Sequence, residues 1–218
     1  MSLESFVNLQ LSIMLPPEAE AAADILKVAH SSWEEVSPEF YDAEILPRLV
    51  DSLRQRSITL VAKLNDKIVS AYDLPTFFAM ETGKLAFGKT AHKDFMGTTI
   101  YSGADDYFAV KEKGSGVGTA FFSLFKRIVE QFAYEAGMPI VHRVTATHRS
   151  KSFFGSKCGY DEVQVTPGPR VDIHIMERTY QQHRHDLLAN ERQIVDSLMA
   201  VMREKLQPAV PAAVASAQ

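Results

Sequence analysis

The chain has 218 residues, 46% of them hydrophobic, and a formal net charge of −4. That is enough apolar material to bury one good core in a single domain with appendages, and the charge gives no general electrostatic case for nucleic acid. A single cysteine excludes an internal disulfide framework and fits a reducing, cytoplasmic setting. Glu4 and Asn8 interrupt the first apolar residues as a signal peptide does not, and no run of about 18 apolar residues marks a membrane span.

In chain order, Leu9, Leu11, Ile13 and Leu15 alternate with Gln10, Ser12 and Met14, the pattern of a half-buried strand. Pro16-Pro17-Glu18 then opens a helix with Ala22, Ile25, Leu26, Ala29 and Trp33 on its apolar face. Ser37-Pro38-Glu39 begins a second helical segment, broken or kinked near Pro47, with Leu46, Leu49, Val50 and Leu53 apolar. Residues 57 to 64 alternate again, and Asn65-Asp66 turns them into residues 67 to 73, predicting an antiparallel hairpin. Residues 75 to 103 hold Phe77, Phe78, Phe87, Phe95 and Tyr101, too many aromatics for a disordered linker. They read as an ordered insertion that covers one side of a cleft, forms an interface, or elaborates the structure.

The next stretch carries the most chemistry. A short β-like run ends at Val110, and a helix follows whose apolar residues (Val117, Phe121, Phe125, Ile128, Phe132 and Ala136) recur every three or four positions. Between them stands Lys113-Gly-Ser-Gly-Val-Gly118. Glycines let the backbone turn with positive φ and bring amides close to a ligand, and a helix N-terminus adds unpaired N–H donors, so the junction suits a pyrophosphate. A glycine-rich turn that only caps a strand is the other reading. The nucleotide P-loop is excluded because no Gly-Lys-Ser/Thr triplet follows, and the dinucleotide fingerprint fits poorly because the third glycine comes one residue early.

Residues 140 to 147 read as a strand, and 150 to 160 as a short helix closed by Gly159-Tyr160. Residues 161 to 166 and 171 to 178 form a hairpin across Pro167-Gly168-Pro169. Residues 179 to 206 read as one long amphipathic helix with Leu187, Leu188, Ile194, Val195, Leu198, Val201, Met202 and Leu206 in one stripe. The stripe packs on the domain or on a partner helix, which leaves a homo-oligomer or a partner protein open. His183-Arg184-His185 reads as a solvated helix start, since neighbours two apart do not share a helix face, and no metal site is expected. Residues 207 to 218 form a Pro/Ala-rich tail expected to be disordered.

Val110, the three glycines and the long helix resemble motif A of the GCN5-related N-acetyltransferase (GNAT) family, Arg/Gln-Gly-x-Gly-x-Gly/Ala after a strand ending in Val, with Lys113 in place of the usual Arg or Gln. The stretch from Ser150 to Tyr160 resembles its motif B: Gly159-Tyr160 stands for Gly-Phe, Phe154 for the apolar position, Lys151 for alanine and His148 for asparagine. Gly155 falls where the family has its tyrosine. The resemblance covers roughly residues 5 to 178. It implies an α/β (α+β) fold with a mixed, mostly antiparallel central sheet flanked by helices. Residues 1 to 178 would form the acyltransferase domain, with the insertion at 75 to 103 before the cofactor-binding strand and the C-terminal helix outside the core.

The function implied is acetyl transfer from acetyl-CoA to an amine, on a small molecule or a protein, by direct attack on the thioester and without metal. Acetyl-CoA would lie with its pyrophosphate over Gly114, Ser115, Gly116, Val117, Gly118 and Thr119. Its pantetheine arm would pair with the backbone of Phe108, Ala109 and Val110, and Lys113 would stand near phosphate. Transfer needs a proton removed from the amine and one returned to the thiolate. Alternation puts Asp106 on one face with Phe108 and Val110, which makes it the candidate base; His148 is the second. With glycine at 155, the thiolate's proton falls to Ser156, Tyr160, Tyr107 or water, while Cys158 reads as a small core residue. The alternative is a protein of this fold without catalysis, in a structural or interaction role.

Overall fold

The computed structural model describes residues 8–30, 43, 46–55, 58–74, 77–93, 95–102, 107–167 and 172–206. Strand β1 (Leu9–Ile13) is followed by a single 3-10 turn (Pro16–Glu18) in which Glu18 accepts the Leu15 amide at 2.8 Å, and this turn feeds α1 (Ala19–His30). The predicted start of the second helix at Ser37 lies outside the described residues. Helix α2 (Leu46–Gln55) has Pro47 in its first turn, so the proline opens it and does not kink it. Strands β2 (Thr59–Leu64) and β3 (Lys67–Asp73) form the expected hairpin, with Asn65 and Asp66 at φ 50° and 62°, the left-handed pair that a tight two-residue turn requires.

The insertion is two further hairpins: β4 (Phe78–Glu81) with β5 (Lys84–Gly88), and β6 (Thr90–Lys93) with β7 (Thr99–Ser102). The remaining elements are β8 (Tyr107–Val110), α3 (Val117–Ala136), β9 (Ile140–Thr147), α4 (His148–Ser152) running into a π turn (Phe153–Lys157), β10 (Asp161–Thr166), β11 (Ile173–Tyr180) and α5 (Ala189–Leu206). The expected mixed, mostly antiparallel sheet flanked by helices is present, but it is divided in two. One sheet has the order β1-β2-β3-β8 and the other β10-β11-β9-β5-β4. The only parallel pair among the described residues is β5 with β9, so the first hairpin of the insertion is a structural part of the second sheet, while β6 and β7 form a two-stranded sheet of their own.

Two other expectations need correction. Strand β11 runs on to Tyr180, and residues 181 to 188 are not helical, so the long helix begins only at Ala189. Hydrogen bonds to α3 explain this: His183 N donates to Glu130 O at 3.3 Å, His185 N donates to Gln131 Oε1 at 2.7 Å, and Arg127 Nη2 donates to Asp186 O at 2.8 Å. His183-Arg184-His185 therefore belongs to an extended strap along α3. No boundary falls at residue 178 either. Ile194, Val195 and Leu198 of α5 share a core with Leu9 and Leu11 of β1 and with Phe121, Phe125 and Phe132 of α3, so the apolar stripe meets its own domain.

Helix α3 is the centre of this core, and a smaller one lies under α1 and α2 with Val61, Ala71 and Ala109. The sheets are joined through a buried polar chain. Tyr72 Oη of β3 lies 2.9 Å from His142 Nε2 of β9, His142 Nδ1 is 2.7 Å from Tyr160 Oη, and Tyr160 Oη is 3.0 Å from Tyr180 Oη. Burial pushes the His142 imidazole down to about 3 and the Tyr180 hydroxyl up to about 12.

Two predictions follow from this packing. The unfolded chain takes a proton on His142 near pH 6.5, whereas the folded one does so only near 3, so between those values the unfolded state holds more protons and stability falls as pH falls. Urea titrations should show little change from this residue above pH 7 and a loss of roughly 1 kcal/mol per pH unit below about pH 6, and His142→Phe should remove that slope. Gly88 has φ +87°, and a Cβ there would lie 2.2 Å from Arg143 O. Gly88→Ala should therefore lower the urea unfolding free energy by at least about 2 kcal/mol.

Candidate active site

Strand β8 pairs with β3 from Asp73↔Tyr107 to Ser70↔Val110, and the ladder continues with Lys111 N to Val69 O at 2.9 Å. Alternation in an antiparallel ladder then turns the N–H and C=O of Ala109 toward β3 and those of Phe108 and Val110 away from it. Ser70 Oγ also donates to Ala109 O at 2.8 Å. Ala109 is thus committed to β3, which corrects its expected part in pairing with a ligand. The N–H and C=O groups of Phe108 and Val110 lie on the outer edge of β8.

In the second sheet, β5 pairs with β9 only from Leu85↔Ile140 to Gly88↔Arg143. Past Arg143 no strand covers that edge of β9 among the described residues, as far as Thr147. The turn after α4 meets β8 over α3: the Phe108 and Phe153 rings are nearly parallel, with centroids 6.0 Å apart. A Cβ on Gly118 would meet Phe153 at 3.1 Å and Phe108 at 3.6 Å, so this glycine lets β8, α3 and the turn after α4 come together.

The loop itself has the predicted form. Gly114 takes φ 77° and Gly116 φ 86°, and Gly116 is the N-cap of α3. The first intrahelical bond runs from Ala120 N to Gly116 O at 3.1 Å, which leaves the preceding amides outside the helix ladder. Ser115 Oγ donates to Glu112 O at 2.7 Å and lies 3.4 Å from the Val117 amide. Among the described residues the amides of Gly116, Gly118 and Thr119 meet no acceptor. Lys113, Gly114 and Gly116 are exposed. This donor set at the positive end of a 20-residue helix suits an anion.

The proton-handling residues are less collected. Asp106 lies outside the described residues. His148 is exposed at the start of α4, with the His174 ring of β11 at 6.4 Å. His174 Nδ1 in turn lies 2.5 Å from Glu162 Oε2, and Lys151 is 2.6 Å from the same oxygen. These two partners, Lys151 first, hold the Glu162 carboxyl below its ordinary value. Tyr160 drops out as an acid for a leaving thiolate: it is 3% exposed, its hydroxyl belongs to the chain with His142 and Tyr180, and burial pushes it well above its ordinary value. Tyr107 packs on the core under α1 and α2, and Ser156 is exposed. A Cβ on Gly155 would approach Tyr160 O and Met176, whereas the Phe153 side chain reaches Phe108 of β8. That role of Phe153 was not readable from spacing, because the π turn shifts the helix register after Ser152.

No protein-family model matches the sequence, and no curated protein matches it. Solved structures do. An acetyltransferase of the GNAT family from Streptococcus pneumoniae matches with a TM-score of 0.43 and 16% identity, over 79% of this chain and 99% of that one. The PaiA N-acetyltransferase from Thermoplasma acidophilum in complex with coenzyme A gives 0.47 and 13%, over 79% and 99%. The yncA structure from Salmonella typhimurium with its cofactor acetyl-CoA gives 0.44 and 14%, over 83% and 97%. The chain is similar to these GNAT-family structures at low identity. No helix among the described residues is long and apolar enough to cross a membrane.

Cys158 is 3% exposed, and burial pushes its thiol up to about 12, in keeping with a core residue. A thiol reagent should leave it unmodified in the native protein and modify it fully in urea; fast native labelling would contradict this packing.

Proposed function

We propose that the chain is an acetyl-CoA-dependent N-acetyltransferase that transfers acetyl directly to an acceptor amine. One observation carries the reading: a left-handed glycine N-cap, whose amides meet no acceptor among the described residues, follows an edge strand, β8, whose outer N–H and C=O groups pair with no strand among the described residues. Bound there, acetyl-CoA supplies an acyl thioester, a carbonyl already activated toward an amine. The amides of Gly116, Gly118 and Thr119 are suited to hold its pyrophosphate with Lys113 near by, and the outward N–H and C=O groups of Phe108 and Val110 are suited to pair with its arm.

The acceptor has to shed a proton before its lone pair is free, and the departing thiolate has to gain one. His148 is the described residue assigned to proton removal, and Asp106, next to Tyr107 in the chain, is the second. Gly155 leaves the thiolate's proton to water. The lack of a donor there is also the one observation that favours the second reading, a non-catalytic protein of this fold with a structural or interaction role.

Thermal melts decide between them. Acetyl-CoA at about 100 times its Kd should stabilise the wild type by roughly 2.7 kcal/mol, and Gly116→Glu should abolish the gain by placing a carboxylate among the amides. No gain in a well-folded wild type overturns the cofactor reading. A gain without amine-dependent CoA release across an amine screen favours the non-catalytic one.

A further inference from the structure

A cluster of four ionisable side chains forms where α4 meets β10 and β11: His148 and Lys151 of α4, Glu162 of β10 and His174 of β11. His174 pairs with Ala146 of β9, two residues before His148, which brings the two imidazoles to the same end of the second sheet. Glu162 joins them through a bulge. The register of β10 on β11 shifts between Glu162 and Gln164, which sets Glu162 opposite Met176, on the face that Met176 shares with His174. Without the extra residue Val163 would take that place and Glu162 would point the other way.

Glu162 Oε2 lies 2.6 Å from Lys151 Nζ and 2.5 Å from His174 Nδ1. An ionised carboxylate only accepts, so Nδ1 of His174 carries a proton and, in the neutral ring, Nε2 keeps a lone pair. His174 is 6% exposed, and its Nε2 meets no hydrogen-bond partner among the described residues. A nitrogen in so buried a ring is ordinarily paired. The His148 ring stands beside it with centroids 6.4 Å apart, too far for a direct hydrogen bond and a span that one water covers.

Building on the acetyltransferase reading above, we infer that Glu162 and His174 are positioning residues for His148, fixing which of its nitrogens takes the acceptor amine's proton. Glu162 keeps the proton of His174 on Nδ1, and His174 Nε2 accepts the N–H of His148 through one water. The lone pair of His148 is thereby held on its other nitrogen, and His148 itself is exposed. As the amine nitrogen bonds to the acetyl carbon and the carbon–sulfur bond breaks, the amine's proton passes to that lone pair, and water protonates the thiolate. The His148 imidazolium then returns its proton to the hydroxide left behind. Until it does, the Glu162 carboxylate supplies a counter-charge through His174.

The test reads the tautomers of both rings by nitrogen-15 NMR of the labelled full chain at about pH 8, where an ordinary imidazole is neutral. CoA release in the amine screen and acetyl-CoA-dependent melting are separate readouts. In the wild type His174 should carry its proton on Nδ1, and His148 should hold a single tautomer. Glu162→Gln and His174→Phe should each return His148 to a mixture of tautomers and lower kcat about tenfold with KM little changed, while both keep the acetyl-CoA melting shift. If His174→Phe does not fold, the isosteric Glu162→Gln decides the matter. A His148 tautomer that is the same in wild type and variants marks a merely structural cluster and overturns the inference. So does a changed tautomer with kcat within about twofold of wild type, which leaves the acetyltransferase reading standing. A wild type that acetyl-CoA does not stabilise, or that releases CoA with no amine of the screen, removes the reading on which the inference rests.

Discussion

Where β5 stops along β9 decides how much of that strand is left open. Gly88 turns with positive φ against the Arg143 carbonyl, and the parallel pairing ends at that residue. Arg143 also holds the insertion in place. Its Nη1 and Nη2 meet Glu81 of β4 at 2.6 and 2.7 Å, its Nε meets Glu177 of β11 at 2.8 Å, and its guanidinium lies over the Tyr101 ring of β7. Desolvation offsets much of the Coulomb gain of such a buried group, so its effect here is on register more than on net stability. One residue ends the inserted strand with its carbonyl and ties down that strand's neighbour with its side chain. The rest of β9 is left for something else to pair with.

Strands β8 and β9 belong to different sheets, so no ladder sets the angle between them. Packing does. Phe121, Phe122 and Phe125 of α3 fill the space beneath Phe108 and Tyr72, and the hydrogen bond from Tyr72 to His142 links β3 to β9 directly. Both nitrogens of His142 are engaged, and its ring stacks on Phe87 of the insertion at 4.3 Å. The imidazole is held in one orientation by three elements distant in sequence.

Much of this was legible from the chain. Glycines at 114 and 116 announced a left-handed turn before a helix, and the alternation of residues 57 to 73 with Asn65-Asp66 between announced a hairpin, because both are local consequences of φ and side-chain period. What failed was non-local. The aromatics of the insertion declared order but not that β5 would pair in parallel with β9. The helical stripe over 179 to 206 hid the strap at 181 to 188, which is fixed by Glu130 and Gln131 of another element. Ala109 looked equivalent to its neighbours until the β3 register committed its amide. Asp73 gave no signal at all: one aspartate ending an alternating strand looks like a surface residue, and only three-strand pairing shows it buried beside Thr59.

Helix α5 also bears on how the chain reaches this structure. Asn190 Nδ2 of α5 donates to Leu11 O, a contact across 179 residues, and α5 covers the apolar side of β1. During synthesis that side of β1 has only α3 to pack on, and stays partly open, until α5 has been made, long after the glycine loop and its helix. Contacts that close so large a loop are slow to form, and a half-made chain with an open apolar sheet face is prone to association. The last described helix therefore acts as a lock on order of assembly: a nascent chain can hold a shaped phosphate loop well before its core is shut to water.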